Sequence, residues 1–269
     1  MKNKITCFAL FFLAITAAGF ISQAPADEEF QCEVLNLTGH ATATDAEGKV
    51  RVLQEGDLVA KGETVATAAD SVMDLSFDSE WKNVTRLEEK SKLKVTSVYP
   101  GKLKLSEGAV FARLKALPKG STFEVKTPTA VATVRGTEYR TSFIDGRTEV
   151  FNVSPSKVFV YGMKVDGSVD STQELVLEQS KKTQVADAGK APEPALDLTP
   201  EESKVTEVFK SQIATKIQEV QAAGRKSAIQ SVAQMEAFEN KAAANKLEPN
   251  PTEESRVVDL RRRPFKKSE

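Results

Sequence analysis

The sequence contains few of the side chains that most often carry catalysis or bind metal ions: one histidine, two cysteines and one tryptophan among 269 residues. His40 lies in no metal-ligand spacing, and no Ser-x-x-Lys, Gly-x-Ser-x-Gly or phosphate-loop motif is present. Carboxylates are plentiful, so glycoside cleavage is the one enzyme class left open. Trp81 is the only tryptophan, however, which leaves little aromatic surface to support a sugar. We therefore expect no catalytic residue, no cofactor and no metal ion. The net charge of −1 also argues against nucleic-acid binding.

The first 26 residues have the three parts of a secretory signal peptide. Met1-Lys2-Asn3-Lys4 supplies positive charge, Ile5 to Ile21 supplies an apolar run, and Ala24-Pro25-Ala26 is a small-residue cleavage site. We predict that residues 1–26 are removed and that the protein is periplasmic or secreted; an uncleaved membrane anchor is the alternative. No later run approaches the roughly 18 apolar residues of a transmembrane helix, so none is expected.

Cysteine is too scarce for a disulfide within the exported protein. Cys7 belongs to the predicted signal peptide, which leaves Cys32 without a partner in the same chain. Glu29-Phe30-Gln31 precede Cys32, whereas a lipidated cysteine follows hydrophobic and small residues, so no lipid anchor is expected. We expect Cys32 to be a half-buried, unreactive thiol; an intermolecular crosslink is the alternative.

Residues 41–185 alternate between short apolar runs and turn signals, after a lead-in at residues 27–40. Turns such as Glu55-Gly56-Asp57, Pro118-Lys119-Gly120 and Asp145-Gly146 recur, and no helical pattern separates them. This density of turns predicts an all-β domain. Each strand can bury only one face, so two layers are needed to form a core. The periodicity leaves open a two-layer β-sandwich or a short β-solenoid.

The most informative segment runs from Phe123 to Tyr139. Its pattern predicts a strand, a kink and a second strand: Pro128 removes a backbone donor and holds Thr127 extended, and a β-branched run follows. Arg135-Gly136-Thr137 closes the segment, and Gly136 is predicted to mark a bend where a side chain would not fit.

The motif Thr-Pro-x-Ala-x-x-x-Val-Arg-Gly-Thr-x-Tyr, residues 127–139, resembles the signature of the FecR domain, a β-rich extracytoplasmic module of bacteria. The resemblance extends over roughly residues 40–185 and implies a compact, two-layer, coil-like or sandwich β fold. In the best-known members the domain lies outside the inner membrane on a transmembrane regulator of an iron-uptake sigma factor, and it receives a signal from an outer-membrane receptor. This sequence shows neither a sigma-binding region nor a span after the signal peptide. Direct control of a sigma factor is therefore not expected, while a periplasmic relay remains open.

Five residues of the signature are the predicted structural motif: Thr127, Pro128, Arg135, Gly136 and Thr137. For Arg135 two interpretations are available. Its guanidinium bridges carbonyls or acids within the fold, which we favour, or it contacts a carboxylate of a partner.

The composition changes at Ala186, where residues 186–199 are predicted to be a linker. Thr199 is a candidate helix cap with Pro200 in the first helical position. Residues 200–247 then predict an amphipathic helix, either continuous or a hairpin joined near Gly224, with apolar positions from Val205 to Phe238. It either packs on its own β domain or serves as a partner, dimer or coiled-coil helix.

Residues 248–269 are predicted to be a disordered basic tail that carries Arg261-Arg262-Arg263 and Lys266-Lys267. The tail is either solvated or contacts cell-wall polymer or another anionic surface. Taken together, the sequence predicts a non-enzymatic, exported regulatory or protein-binding module of the bacterial envelope with an envelope protein as partner. The alternative is a structural envelope scaffold that oligomerises through its C-terminal helix.

Overall fold

The computed structural model describes residues 30–247. The predicted signal peptide, the first part of the lead-in and the predicted basic tail therefore lie outside the described residues. The described chain is mainly β, as predicted, and ends in two α-helices. The strands are β1 (Gln31–Thr38), β2 (Ala41–Thr44), β3 (Val50–Val52), β4 (Leu58–Ala60), β5 (Thr64–Thr67), β6 (Val72–Ser76), β7 (Asn83–Leu87), β8 (Lys92–Ser97), β9 (Lys102–Leu114), β10 (Phe123–Lys126), β11 (Ala130–Val134), β12 (Glu138–Ile144), β13 (Arg147–Asn152), β14 (Val158–Met163), β15 (Val169–Leu177), β16 (Lys181–Val185) and β17 (Leu196–Asp197).

The strands form one large sheet with two halves that share β9. Pairing in the first half, sheet A, follows the order β4-β1-β6-β7-β9-β12-β13-β16-β17, and every pair is antiparallel. The second half, sheet B, has the order β3-β2-β5-β8-β9-β10-β11-β14-β15, and its β9–β10 pair is parallel. The chain passes repeatedly between the halves, so neighbours in sequence often lie in different layers.

Strand β9 connects the two halves because its ends pair with different partners. Residues 102–107 pair with β8 in sheet B, and residues 108–114 pair with β7 and β12 in sheet A. Gly108 lies at the change, with a φ of +83° that favours glycine. A Cβ at this position would lie 2.3 Å from Ser91 Oγ, so the close approach of the two segments also requires glycine.

A single hydrophobic core lies between the halves. Sheet B contributes side chains such as Leu93 and Leu105, and sheet A contributes Val110 and Val150, all of them buried in one cluster. In β8 and the first part of β9 these side chains alternate with exposed ones, as expected for strands with one buried face. Burying each such side chain contributes about 1.5–3 kcal/mol, which explains why the strands stay paired despite their short lengths.

Helix α1 (Pro200–Ala222) covers the outer face of sheet A. Thr199 caps it in a reciprocal capping box with Glu202, and Pro200 opens the first turn, as predicted. Four apolar side chains on one side of α1 pack against a second buried cluster of the sheet. The packed residues are Phe209, Ile213, Ile217 and Val220 on α1, with Leu35, Trp81, Val84, Phe111 and Val153 beneath them.

A long continuous helix over residues 200–247 is not confirmed. Helix α1 ends at Ala222, Gly224 has a φ of +67°, and α2 (Val232–Leu247) begins eight residues later. The intervening segment is held by Arg225, which donates hydrogen bonds to the carbonyls of Leu35 and Val34 and pairs with Glu33. Within residues 30–247, neither helix is both long and apolar enough to cross a membrane. The coiled-coil and oligomer expectations stay predictions.

Candidate functional site

The first half of the signature forms a tight connection between β10 and β11. Thr127 is buried, and its hydroxyl donates to the Ala130 carbonyl at 3.0 Å while accepting from the Ala130 amide at 2.9 Å. The same oxygen lies 2.6 Å from the hydroxyl of Thr148 on β13. Pro128 is exposed at the turn, where its missing amide hydrogen has no consequence for the ladder. Thr127 and Pro128 therefore have a structural role in the connection between β10 and β11.

The second half of the signature carries the chain from β11 in sheet B to β12 in sheet A. The Thr137 carbonyl accepts a hydrogen bond from the Leu114 amide at 3.1 Å, which extends the sheet A ladder. Gly136 has a φ of +120°, but a Cβ there would lie 3.8 Å from the Leu114 carbonyl oxygen, an ordinary contact. The expectation that a side chain would not fit at Gly136 is therefore wrong: the backbone conformation, not crowding, favours glycine.

Arg135 is exposed at this connection. Among residues 30–247 its side chain makes no hydrogen bond or ion pair, so the interpretation in which it bridges groups within the fold finds no contact to support it. Arg135 directly follows β11, in the connection that leads to β12. The guanidinium, with its planar set of donors, is thus free to meet a carboxylate from outside the described chain.

Glu138, one of the variable positions of the signature, lies at the centre of a basic cluster. Its carboxylate accepts from Lys115 Nζ at 2.5 Å, and Lys210 Nζ of α1 and Arg113 Nε lie 3.3 Å and 3.8 Å away. The side chain is 7% exposed. Burial acts to raise the pKa of this carboxyl, but hydrogen bonds and charge from Lys115 and Lys210 outweigh it, so the pKa lies below its usual value.

The resulting site, the Arg135 cluster, consists of Arg113, Lys115, Arg135, Lys210 and Glu138. Three cations, Lys115, Lys210 and Arg113, lie 2.5–3.8 Å from the buried Glu138 carboxylate, and Arg135 precedes Glu138 by three residues in the chain. Lys210 also contacts Glu207, at 2.8 Å. The cluster therefore keeps an excess of positive charge at the end of sheet A, and charge-assisted hydrogen bonds to an incoming carboxylate are its most direct chemistry.

The lowered pKa of Glu138 predicts acid sensitivity. A carboxyl whose pKa is lower in the folded state stabilises the fold above its unfolded value, 4.5, and loses that contribution as the pH falls below it. We expect urea unfolding to show a smaller loss of stability between pH 7 and pH 3.5 for Glu138→Gln than for the wild type. Glu201→Gln, on the exposed side of the first turn of α1, is the control and should follow the wild type. Equal pH dependence of all three proteins would contradict this role of Glu138.

A cleft lies on the same face of sheet A, at the end opposite the Arg135 cluster. Its volume is about 400 Å³, and its lining includes Glu88, Lys90, Arg140 and Ile144. Arg140 is already engaged there, because its Nε and Nη2 donate to the two carboxylate oxygens of Glu88 at 2.6 and 2.9 Å. Arg140 in the cleft is therefore paired with a carboxylate, whereas Arg135 has no such partner within residues 30–247.

The sequence identified Arg135 but not the other residues of the Arg135 cluster. Lys115, Glu138 and Lys210 come from three separate segments, and only Glu138 lies inside the signature. His40 is exposed in a turn, whereas Cys32 is fully buried in β1, where burial raises its thiol pKa. Within residues 30–247 no group of three or more histidine, cysteine or acidic side chains is arranged to hold a metal ion.

Comparison with known proteins agrees with the signature. Residues 63–158 match the family model described as FecR protein. The chain contains a FecR domain. The match runs from β5 to the start of β14 and includes the whole signature, Arg113 and Lys115; Lys210 and the rest of α1 lie outside it. The Arg135 cluster therefore combines the FecR domain with the C-terminal helix.

Two solved structures are similar to part of the chain, and both are candidate anti-sigma factors from Parabacteroides distasonis ATCC 8503. The first is 15% identical with a TM-score of 0.43 and covers 54% of this chain and 64% of its own. The second is 16% identical with a TM-score of 0.34 and covers 65% of this chain and 62% of its own. The FecR-domain chain thus spans less than two thirds of either structure. No curated protein matches the sequence.

Proposed function

We propose that this FecR-domain protein is a non-enzymatic regulatory module of the bacterial cell envelope that binds a protein partner through the Arg135 cluster. The observation that carries the proposal is the exposed Arg135 side chain, which has no partner within residues 30–247. It lies three residues before Glu138, the carboxylate that Lys115, Lys210 and Arg113 contact. The FecR family match supports a regulatory role. The signal-peptide pattern of residues 1–26 supports export, to the periplasm or the medium.

Helix α1 connects the site to other parts of the β domain through ion pairs. Lys210 binds Glu138 from one side of α1, while Glu202 and Lys216 of the same helix pair with Lys182 and Glu55 of the β domain. A partner carboxylate that approached Arg135 would therefore act beside a contact that also holds α1. This arrangement suits a relay in which partner binding changes how firmly α1 is docked.

The proposal is tested by recovering proteins from the envelope of the source cells with three immobilised forms: wild type, Arg135→Ala and Arg147→Ala. Arg147 is a matched control, because it is also exposed, lies at the other end of sheet A, and has no ion pair in the described chain. We expect one protein to be recovered by the wild type and by Arg147→Ala but lost with Arg135→Ala, with all three forms melting at the same temperature. Equal recovery by all three forms would contradict the proposal.

The alternative of an oligomerising envelope scaffold receives less support. It requires the apolar side of the C-terminal helix to be available, but Phe209, Ile213 and Ile217 already pack against sheet A. The predicted contact of the basic tail with cell-wall polymer or another anionic surface involves residues outside the described chain and stays a prediction.

A further inference from the structure

The outer face of sheet B carries a second concentration of positive charge, which we call the lysine surface. It lies on the adjacent strands β8, β9 and β10. Its members are Lys92, Lys94, Lys102, Lys104 and Lys126. In β8 and β9 the lysines alternate with buried residues such as Leu93 and Leu103, so their side chains share the face that points away from the core.

The strand register places these lysines next to one another. Lys94 lies directly opposite Lys104, and Lys104 lies directly opposite Lys126. Neighbouring strands are about 4.8 Å apart, and alternate residues along a strand about 6.7 Å apart. Like charges directly opposite each other destabilise a sheet. The row Lys94–Lys104–Lys126 therefore carries a cost to stability.

Little within the chain neutralises this surface. Glu107 opposite Lys92 and Glu124 opposite Lys102 are the acids in register with it, which leaves five lysines against two glutamates and a net charge of +3. Within residues 30–247, none of the four lysines of β8 and β9 forms an ion pair, and Lys126 Nζ donates only to the Gly167 carbonyl, at 2.9 Å. By contrast, Lys182 of β16 and Lys210 of α1 both contact carboxylates.

We propose that the lysine surface binds an acidic polypeptide segment, in addition to the contact proposed for Arg135. An extended peptide presents alternate side chains on one face about 6.7 Å apart, which matches the spacing of Lys92 with Lys94 and of Lys102 with Lys104. The positive strip is also only three strands wide. Beyond it, Glu174 of β15 lies on the same face, in contact with Tyr161 of β14. An anionic membrane would meet Glu174 as well, whereas a peptide can follow the lysines alone.

This surface is tested with a fluorescein-labelled oligoglutamate peptide and the purified protein, using fluorescence anisotropy at low ionic strength. The test variant is Lys94→Gln/Lys104→Gln, and the control is Lys49→Gln/Lys61→Gln, which removes the same charge from two exposed loop positions. We expect the Kd to rise about fivefold or more for the test variant and to stay within about twofold for the control. Because like-charge repulsion is relieved, the test variant should also melt at a higher temperature than the wild type.

Two results would overturn the inference. One is an equal Kd for the test and control variants, which would mean that net charge alone drives binding. The other is tighter binding to phosphatidylglycerol vesicles or to a sulfated polysaccharide than to oligoglutamate, which would assign the surface to a membrane or a polymer. The Arg135 proposal has a separate readout, the recovery of an envelope protein. Failure of the lysine surface would therefore leave the Arg135 proposal standing, and failure of the Arg135 proposal would leave the lysine surface standing.

Discussion

Replacing Arg86 by leucine is expected to lower the free energy of unfolding by about 3–5 kcal/mol, because it leaves the Asp74 carboxylate buried without a counter-charge. Arg86 Nε and Nη2 donate to the two oxygens of Asp74 at 2.7 and 2.8 Å, and the side chains are 3% and 0% exposed. The same guanidinium also lies over the Phe209 ring and donates to Gln212, both on α1. Losing it therefore weakens the β domain and the docking of α1 together.

Two controls make this expectation specific. Arg51→Leu removes an arginine that also binds a carboxylate, Glu63, at 2.9 Å, but its side chain is 38% exposed, so a loss of about 1 kcal/mol or less is expected. The double variant Arg86→Leu/Asp74→Leu removes both buried charges and should recover much of the stability. Urea unfolding measures all three. A loss for Arg86→Leu no larger than for Arg51→Leu would contradict the structural role of this pair.

Gly108→Ala is expected to cost about 3–5 kcal/mol, since the new methyl group meets both conformational strain and direct overlap. Gly108 has a φ of +83°, and its Cβ would lie 2.3 Å from Ser91 Oγ and 2.5 Å from Ser91 Cα. The second of these atoms belongs to the backbone and cannot move aside without displacing the start of β8. Gly108 lies where β9 passes from sheet B to sheet A, so the substitution disturbs the connection between the two halves.

Gly120→Ala is the matched control for Gly108→Ala. Gly120 has nearly the same φ, +84°, but no heavy atom lies within 4 Å of its Cβ position, so only the backbone cost of about 1–2 kcal/mol is expected. Thermal unfolding of the two variants separates strain from overlap. If both substitutions lower stability equally, the close approach at Gly108 is not what holds the two halves of the sheet together.

Local sequence patterns predicted the strands better than their partners. The alternation in Lys92–Ser97 and Lys102–Leu114 is visible in the sequence, and both segments are strands. Nothing in that alternation shows that β9 pairs with β8 at one end and with β7 and β12 at the other, because pairing depends on residues far away in the chain. The lysine surface was missed for the same reason: the lysines are evident, but their register is not.

The helical region shows the limit of periodicity in another way. The apolar spacing from Val205 to Phe238 suits one helix, yet the chain leaves the helical path after Ala222. There Arg225 and Ser227 both bind the carboxylate of Glu33, in β1, and these contacts favour a break near Gly224. A tertiary contact nearly two hundred residues away in sequence therefore overrides the local preference for helix.

The same distinction holds for the candidate site: some of its residues were predictable from local sequence, and others depend on tertiary contacts. Thr127, Pro128 and Gly136 could be placed in turns from their residue types alone, and Arg135 could be singled out from the signature. Whether Arg135 is satisfied within the fold depends on tertiary contacts that its own segment does not reveal. The same is true of the contacts that Arg113 of β9, Lys115 just after β9 and Lys210 of α1 make with Glu138.

Binding through the Arg135 cluster is tested most directly by hydrogen–deuterium exchange of the purified protein with and without the partner recovered in the Arg135-dependent experiment. We expect slower exchange, on partner binding, in peptides that cover residues 113–115 and 135–138. Unchanged exchange in both of these segments, with protection found elsewhere in the chain, would contradict the claim that the FecR domain binds its partner through the Arg135 cluster.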